Sequence, residues 1–397
     1  MQAITYQFCT IRNVDLSRVK RANKSLGKRI NLSNFIHVQG ADALLDRGKL
    51  LGNHFQIILR NLKQIKQLQI EGDEPWKERT VQVHSSHLDA MVKRIANCGF
   101  INFYGEQRLG EPGSTDYVGV RSFDIGRAFL QHDFANAIDL IMTGRSHNVY
   151  NPGTEEMKAR SVWKTSGNAR ATLNAFPKNR SVMVRERDIM KGLVRYSDAL
   201  EAIRCVPHSI RMFWIHSYQS FVWNRMATER VKKWGLVPVV GDLYLVNEAE
   251  NSDNDEEKNG TGAVQLVDDP STVDISQIVL PLPGYNIQYP TNEIGDLYRE
   301  VLRKDGIELV SKGNIAEATA KGSYRKLIQR ANNLKWDDVS EIDESKHKAS
   351  EDPVISSAKL SFELESGCYA TMMLRELMLT TMSRKDYKLK SSNCEEA

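Results

Sequence analysis

The stretch "NFYGEQRLG", residues 102–110, combines an amide, two adjacent aromatic rings and a polar triplet between two glycines. This composition is poor for a long helix and poor for a strand. The preceding residues predict an amphipathic helix, because apolar side chains recur there at spacings of three and four: Leu88, Met91, Val92 and Ile95. Gly99 then stands where helices commonly end. Residues 102–110 therefore lie at a junction from which side chains can be aimed at a ligand.

The segments on either side of this junction predict a mixture of helices and strands. Strands are predicted at residues 3–11, 51–62, 322–330 and 359–364, and helices at residues 122–144, 208–234, 291–306 and 369–382. The helix at 208–234 has the clearest apolar face, and Gly235 follows it. Residues 236–246 are expected to form a hairpin or a pair of short strands, and Thr291 is expected to cap the helix that follows it. The fold class is therefore expected to be α+β.

The composition is that of an ordinary globular protein. The 397 residues are 41% hydrophobic and 26% charged, which favours a sizeable core and two domains. No apolar run reaches the length that a membrane span needs, so no membrane partner is expected. The five cysteines are far apart, which predicts reduced thiols in an intracellular protein, in the nucleus, the cytoplasm or both. No metal site and no cofactor are expected.

The charge is small in total but unevenly distributed. The net charge is +4, while two acidic runs at residues 248–257 and 337–352 hold many of the carboxylates. We expect both runs to be surface segments, with residues 247–262 forming a mobile loop. The remaining chain, including the basic residues between 12 and 29, is more basic than the total suggests. This distribution permits a polyanionic partner without requiring one.

Residues 102–110 have two interpretations. In the first, an aromatic ring stacks on an extruded nucleobase, Asn102 bonds the edge of the base or a catalytic carboxylate, and Arg108 binds phosphate. In the second, the segment is a buried aromatic turn in which Gln107 and Arg108 cap the preceding helix. Residues 322–330 have a similar pair of interpretations: Arg325 and Lys326 hold RNA phosphate, or they face solvent. His216 is interpreted as a structural histidine, because no carboxylate lies nearby in the sequence.

At this segment the sequence resembles the TruD-type pseudouridine synthases, and more closely their eukaryotic branch. Five further blocks resemble that branch in the same order: "GNHFQIILRNL", "IHSYQSFVWNRM", "PLPGYNIQYP", "GSYRKLI" and "YATMMLREL". The resemblance implies a mixed-sheet catalytic domain interrupted by a large α+β insertion domain. The implied boundaries are residues 1–122 and 322–397 for the catalytic domain and 123–321 for the insertion.

The resemblance also implies a reaction, the cofactor-free isomerisation of uridine to pseudouridine in RNA. Asn102 and Tyr104 match the catalytic motif, with Tyr104 as the aromatic residue that contacts the base. Phe103, Gln107, Arg108, Arg325 and Lys326 are the expected RNA-binding residues. The implied partner is RNA, chiefly tRNA at a D-arm uridine, and the protein is expected to be a monomer.

The start of the chain departs from the family pattern. The family's nucleophilic aspartate lies in a segment of the type Gly-x-Lys-Asp-Lys-Arg-Ala-x-Thr-x-Gln, and here only Ala3, Thr5 and Gln7 match its end. The aspartate would fall just before Met1, so the catalytic domain is expected to be incomplete at its N-terminus. Three hypotheses follow: a synthase that lacks its N-terminal part, a short form that binds RNA without catalysis, or a scaffold protein in which the aromatic motif is only core.

Overall fold

The structure is a computed structural model that describes residues 52–68, 77–110, 119–144, 154–246, 264–308, 315, 318–340 and 352–378. The predictions for residues 3–11, 12–29 and 247–262 lie outside the described residues. The strands are β1 (Gly52–Arg60), β2 (Lys63–Leu68), β3 (Lys77–His84), β4 (Phe100–Ile101), β5 (Leu243–Leu245), β6 (Val264–Leu266), β7 (Ile278–Leu282), β8 (Ser323–Lys326), β9 (Ile328–Gln329), β10 (Asn332–Asp338), β11 (Val354–Ile355) and β12 (Ser357–Glu365).

The helices in the described ranges are as follows. They are α1 (Ser85–Cys98), α2 (Glu106–Leu109), α3 (Ser122–Leu130), α4 (Phe134–Thr143), α5 (Glu155–Ser166), α6 (Ala169–Asn174), α7 (Val184–Tyr196), α8 (Ala199–Arg204), α9 (His208–Trp234), α10 (Glu293–Lys304) and α11 (Ala370–Met378). Two 3-10 turns precede β7. Helices and antiparallel sheets are thus mixed, and the expected α+β class is confirmed.

One sheet joins strands from distant parts of the chain. Strand β12 lies between β1 and β10, and its pairing with β1 sets Gly52 opposite Glu365 and Arg60 opposite Ser357. Side chains alternate along β12, with Ala358, Leu360, Phe362 and Leu364 buried. Helices α1 and α11 supply the other apolar side chains of this core, among them Ile95 and Met373. Pairing of both ends of the chain agrees with the implied two-part catalytic domain, whose boundaries stay a prediction.

Helix α9 organises the larger core. It spans 27 residues, as the sequence predicts, and Gly235 ends it with a φ of 66°. Tyr218, Val222 and Trp223 are fully buried on its inner face. Helix α3 crosses α9 so closely that a Cβ at Gly126 would lie 2.0 Å from the Trp214 carbonyl oxygen. The sheet β6-β5-β7-β8 packs on the same core.

Four boundaries differ from the predictions, each for a local reason. Residues 122–144 form two helices, because His132 has a φ of 59° and Asp133 caps α4 through the Asn136 N–H. Residues 236–246 contain one strand, β5, whose partners are β6 and β7, so the local hairpin is wrong. The cap of α10 is Asn292 and not Thr291. Asp337 and Asp338 are exposed, as expected of the acidic run, but they end β10 and pair with β12 and do not lie in a loop.

Within the described ranges, no helix combines the length and apolar character that crossing a membrane requires.

Candidate functional site around Tyr104

The aromatic loop is residues 102–110. It leaves the sheet at the end of β4, which pairs with β9, and the Asn102 N–H continues the ladder by donating to the Leu327 carbonyl at 2.9 Å. Its second half is α2, a single helical turn whose N-cap is Gly105. A Cβ at Gly105 would lie 2.9 Å from Cδ1 of Tyr369. The chain therefore passes so close to the Tyr369 ring that position 105 has no room for a side chain.

Arg325, on β8, holds the first half of the loop. Its Nε donates to the Asn102 carbonyl at 2.8 Å, Nη2 donates to Asn102 Oδ1 at 2.6 Å, and Nη1 donates to the Gly367 carbonyl at 3.0 Å. The guanidinium carbon also lies 4.0 Å from the centre of the Tyr104 ring. A cation over an aromatic face at this distance is attracted by the ring quadrupole. Arg325 thus joins Asn102 and Tyr104, and its expected contact with RNA phosphate stays a prediction.

Asn102 is buried, with 4% of its surface exposed. Its Oδ1 accepts from Arg325, and its Nδ2 donates to the Lys326 carbonyl at 3.3 Å. Both functional groups of the amide are therefore bonded to β8. The Lys326 ammonium group itself lies 3.9 Å from a carboxylate oxygen of Glu365, in a partly exposed pair.

The Tyr104 ring is half-buried among other aromatic rings. Trp223 lies edge-on to it at 5.9 Å and to Phe103 at 6.4 Å, and Tyr369 lies edge-on to Tyr104 at 6.0 Å. Edge-to-face pairs at these distances are favourable and hold a ring in a defined orientation. Since the Arg325 cation covers one face of Tyr104, a stacked base would have to use the opposite face.

The second half of the loop is attached to the N-terminal part of α9. The Arg108 guanidinium stacks over Phe213 at 5.5 Å, and the Arg108 carbonyl accepts from Ser217 Oγ at 2.8 Å. Among the described residues no acceptor is found for the buried Nε of Arg108. Gln107, the other polar residue predicted here, is exposed.

His216 lies on α9 close to Arg108. Burial, followed by the positive charge of Arg108, lowers the pKa of His216 from 6.5 to about 4. Both causes disfavour the imidazolium form. The ring is therefore neutral at neutral pH, and it lies beside a permanent cation.

The structure brings together five of the seven predicted site residues and adds others. The contacts above link Asn102, Phe103, Tyr104, Arg325 and Lys326. Arg108 lies in the same loop but contacts Phe213 and Ser217 of α9, and Gln107 lies there without a described contact. Sequence reasoning did not single out Asn224 or Tyr369 as site residues, and it placed Trp223 only within the helix predicted at residues 208–234. No local pattern marks them, since Tyr369 immediately precedes α11 and the other two lie on α9.

Three further observations concern this site. Across the described residues no aspartate bonds Asn102 or Arg325, whose partners are each other and backbone carbonyls. The same residues contain no cluster of side chains suited to a metal ion. A cavity of about 560 Å³ is lined by Lys233, Glu293 and neighbouring residues, none of them from the aromatic loop.

Comparison with known proteins extends over almost the whole chain. The family model of tRNA pseudouridine synthase D (TruD) matches residues 1–377. The Pseudouridylate synthase 7 homolog of Bos taurus is 30% identical over 406 residues, which cover 97% of this chain and 54% of that protein. The Multisubstrate pseudouridine synthase 7 of Schizosaccharomyces pombe is 29% identical over 428 residues, which cover 98% of this chain and 58% of that protein. The chain thus spans little more than half the length of these relatives.

A solved structure has a similar fold. The crystal structure of a Methanosarcina mazei protein assigned as a tRNA pseudouridine synthase D (TruD) superposes with a TM-score of 0.56 at 24% identity, covering 84% of this chain and 70% of that one. At this identity the likeness is one of fold. The family match covers the sheet, the aromatic loop and helix α9 together, and the chain belongs to the TruD family of tRNA pseudouridine synthases.

Proposed function

We propose that this chain acts on RNA as a uridine-to-pseudouridine isomerase and that the aromatic loop receives the target base. The observation that carries the proposal is the Tyr104 ring, half-buried, with Arg325 fixed over one face. A ring held in this way is a stacking platform, and stacking of a base on such a ring contributes ~1–3 kcal/mol. The names of the relatives, which are pseudouridine or pseudouridylate synthases, support the same activity.

The other residues of the loop have complementary parts in this proposal. The Arg108 guanidinium stacks on Phe213, and its terminal N–H groups would bind a phosphate next to the target nucleotide. Gln107 is exposed in the same loop. Asn102 is bonded on both sides of its amide, which suits a residue that fixes the loop.

Isomerisation requires a nucleophile in addition to a platform. A carboxylate attacks the target nucleotide, the bond from the ribose to the base nitrogen breaks, and the base turns. The base carbon then bonds to the ribose as the carboxylate is released, the carbon loses its proton, and the base nitrogen gains one. A second candidate is an RNA-binding protein that receives the base without isomerising it, because stacking on Tyr104 requires no nucleophile.

We propose tRNA as the substrate, by analogy with the family name, and within it a D-arm uridine, which is what the resemblance of the sequence implies. Recognition would combine stacking of an unpaired uridine with phosphate contacts from the basic side chains, so affinity should fall as salt rises.

The two candidates are separated by measuring binding and chemistry on the same protein. The purified chain is mixed with tRNA that carries tritium at C5 of its uridines, and tritium release is followed together with RNA affinity. Tyr104→Ala is expected to raise Kd by roughly 5- to 150-fold, the equivalent of the stacking contribution, whereas Tyr104→Phe keeps the ring and the affinity.

Tritium release by the unmodified chain, lost in Tyr104→Ala, would establish the isomerase. Binding that depends on Tyr104 without tritium release would establish the RNA-binding alternative. If RNA affinity does not change in Tyr104→Ala, the stacking role of Tyr104 is ruled out for both candidate functions.

A further inference from the structure

We propose that Asn224, on helix α9, is a positioning residue for Tyr104. This inference rests on the proposed function, which gives the Tyr104 ring its role as a platform. In this proposal, helix α9 fixes the position of the Tyr104 ring through Asn224.

The contact is a pair of hydrogen bonds between one side chain and one backbone unit. Asn224 Oδ1 accepts from the Tyr104 N–H at 2.8 Å, and Asn224 Nδ2 donates to the Tyr104 carbonyl at 2.9 Å. The carboxamide therefore satisfies both backbone groups of Tyr104, as a neighbouring β-strand would. Both lengths are typical of well-formed hydrogen bonds.

Only an amide of this length can make the contact. An aspartate has the acceptor but no donor for the carbonyl, an alanine has neither, and a glutamine is one methylene longer. A short, half-buried side chain also loses little conformational freedom when it is fixed. The residue type is therefore matched to the two groups that it holds.

The element that carries Asn224 is itself firmly placed. The preceding residue, Trp223, is fully buried, and its Nε1 donates to the Leu280 carbonyl at 3.1 Å. One turn later, the Thr228 hydroxyl donates to the Asn224 carbonyl at 2.9 Å, within the helix. A displacement of the Asn224 carboxamide would thus require movement of α9 against β7.

The Tyr104 residue is held by contacts of three kinds. Arg325 lies over the ring, Trp223 and Tyr369 lie edge-on to it, and Asn224 bonds the backbone. The cation and the rings act on the Tyr104 side chain, whereas Asn224 bonds the N–H and the carbonyl of Tyr104 itself. We therefore assign to Asn224 the position of the platform.

The first test measures the position of the ring without any RNA. The full chain is prepared with a fluorinated tyrosine at position 104, and its fluorine resonance is compared in three variants. Asn224→Ala should give an averaged, exchange-broadened resonance, and Asn224→Asp an intermediate one. Thr228→Ala is the matched control, because Thr228 lies on the same helix and bonds only to its own helix. An unchanged resonance in Asn224→Ala would overturn the proposal.

The second test is a double-mutant cycle on RNA affinity. Asn224→Ala should raise Kd for an RNA with an unpaired uridine by roughly tenfold, because a displaced Tyr104 ring loses much of its stacking on the base. In a Tyr104→Ala background the same change should have no further effect, since a positioning residue acts through the residue that it positions. Effects that add in the double variant would overturn the proposal, because a merely structural role also lowers affinity when Tyr104 is absent.

The two tests distinguish a failure of this inference from a failure of the proposed function. If Tyr104→Ala leaves affinity unchanged while Asn224→Ala frees the ring, positioning stands and the platform role fails. If Asn224→Ala does not fold, Asn224→Asp carries both tests, because it keeps the acceptor for the Tyr104 N–H and loses only the donor.

Discussion

At the scale of single residues, His216 is the group whose charge state the fold changes most clearly. Its pKa in the folded protein is about 4, below the 6.5 of the unfolded chain. The unfolded state therefore binds more protons between these two values, and the free energy of unfolding falls as pH drops from about 6.5 to about 4. The loss should be constant below that window and absent above it.

The predicted magnitude follows from the size of the pKa difference. A difference of this size corresponds to a loss of about 3 kcal/mol across the window. Urea unfolding at pH 7.5 and pH 4.5 should show this loss in the free energy of unfolding for the unmodified chain and a smaller loss for His216→Gln. The exposed His208, on the same helix, supplies the control variant His208→Gln. Equal pH dependence in the unmodified chain and in His216→Gln would contradict the burial of a neutral ring.

At the scale of elements, a buried ion pair joins α9, the following loop and α10. Arg230 and Asp242 are 0% and 1% exposed, and Arg230 Nη2 donates to Asp242 Oδ2 at 2.6 Å. Asp242 also accepts from Asn292 and from the Val239 N–H, and Arg230 donates to two loop carbonyls. Each polar atom of the pair thus has partners, which is the condition under which a buried pair is tolerated.

Removal of one partner should therefore be costly. Asp242→Asn leaves an uncompensated buried guanidinium and is expected to lower the free energy of unfolding by about 3–5 kcal/mol. The matched control is Asp296→Asn, because Asp296 and Arg299 form a pair that is 71% and 64% exposed. That change should cost no more than about 0.5 kcal/mol. Similar small losses for both variants in chemical denaturation would show that the buried pair is dispensable.

At the scale of the whole molecule, the distribution of charge leads to a prediction about RNA binding. Residues 247–262 contain Lys258 and six carboxylates: Glu248, Glu250, Asp253, Asp255, Glu256 and Glu257. They lie outside the described residues, but their net negative charge repels phosphate wherever it approaches. Deletion of residues 247–262 should leave RNA affinity unchanged or slightly raised, and more so at low salt.

A second variant keeps the length of the chain and removes only the charge of residues 247–262. The same six carboxylates are replaced by their amides, and RNA affinity is measured at two salt concentrations. We expect the same effect on affinity as in the deletion. A marked loss of affinity in either variant would mean that this segment contributes to RNA binding.

Local patterns in the sequence were sufficient for the main elements. The apolar period of residues 208–234 and the alternation at residues 359–364 predicted α9 and the core of β12, because a helix or strand buries one face at its own repeat. Predictions failed where the conformation or the capping side chain of a single residue, and not the hydrophobic repeat, set the boundary of a helix. The αL conformation of His132 divides one expected helix into two, and Asn292 displaces Thr291 as a cap.

The sequence indicated where the candidate site lies but not how its side chains are arranged. The composition of residues 102–110 drew attention to the segment, and the family resemblance singled out Asn102 and Tyr104 within it. Only the tertiary structure showed that Arg325 is bonded to Asn102 and lies over Tyr104, and that Asn224 clamps the Tyr104 backbone from another helix. These partners lie more than a hundred positions apart in the chain, and their contact depends on how α9, β4 and β8 pack. Periodicity records which face of an element is buried, but not which residue of another element it meets.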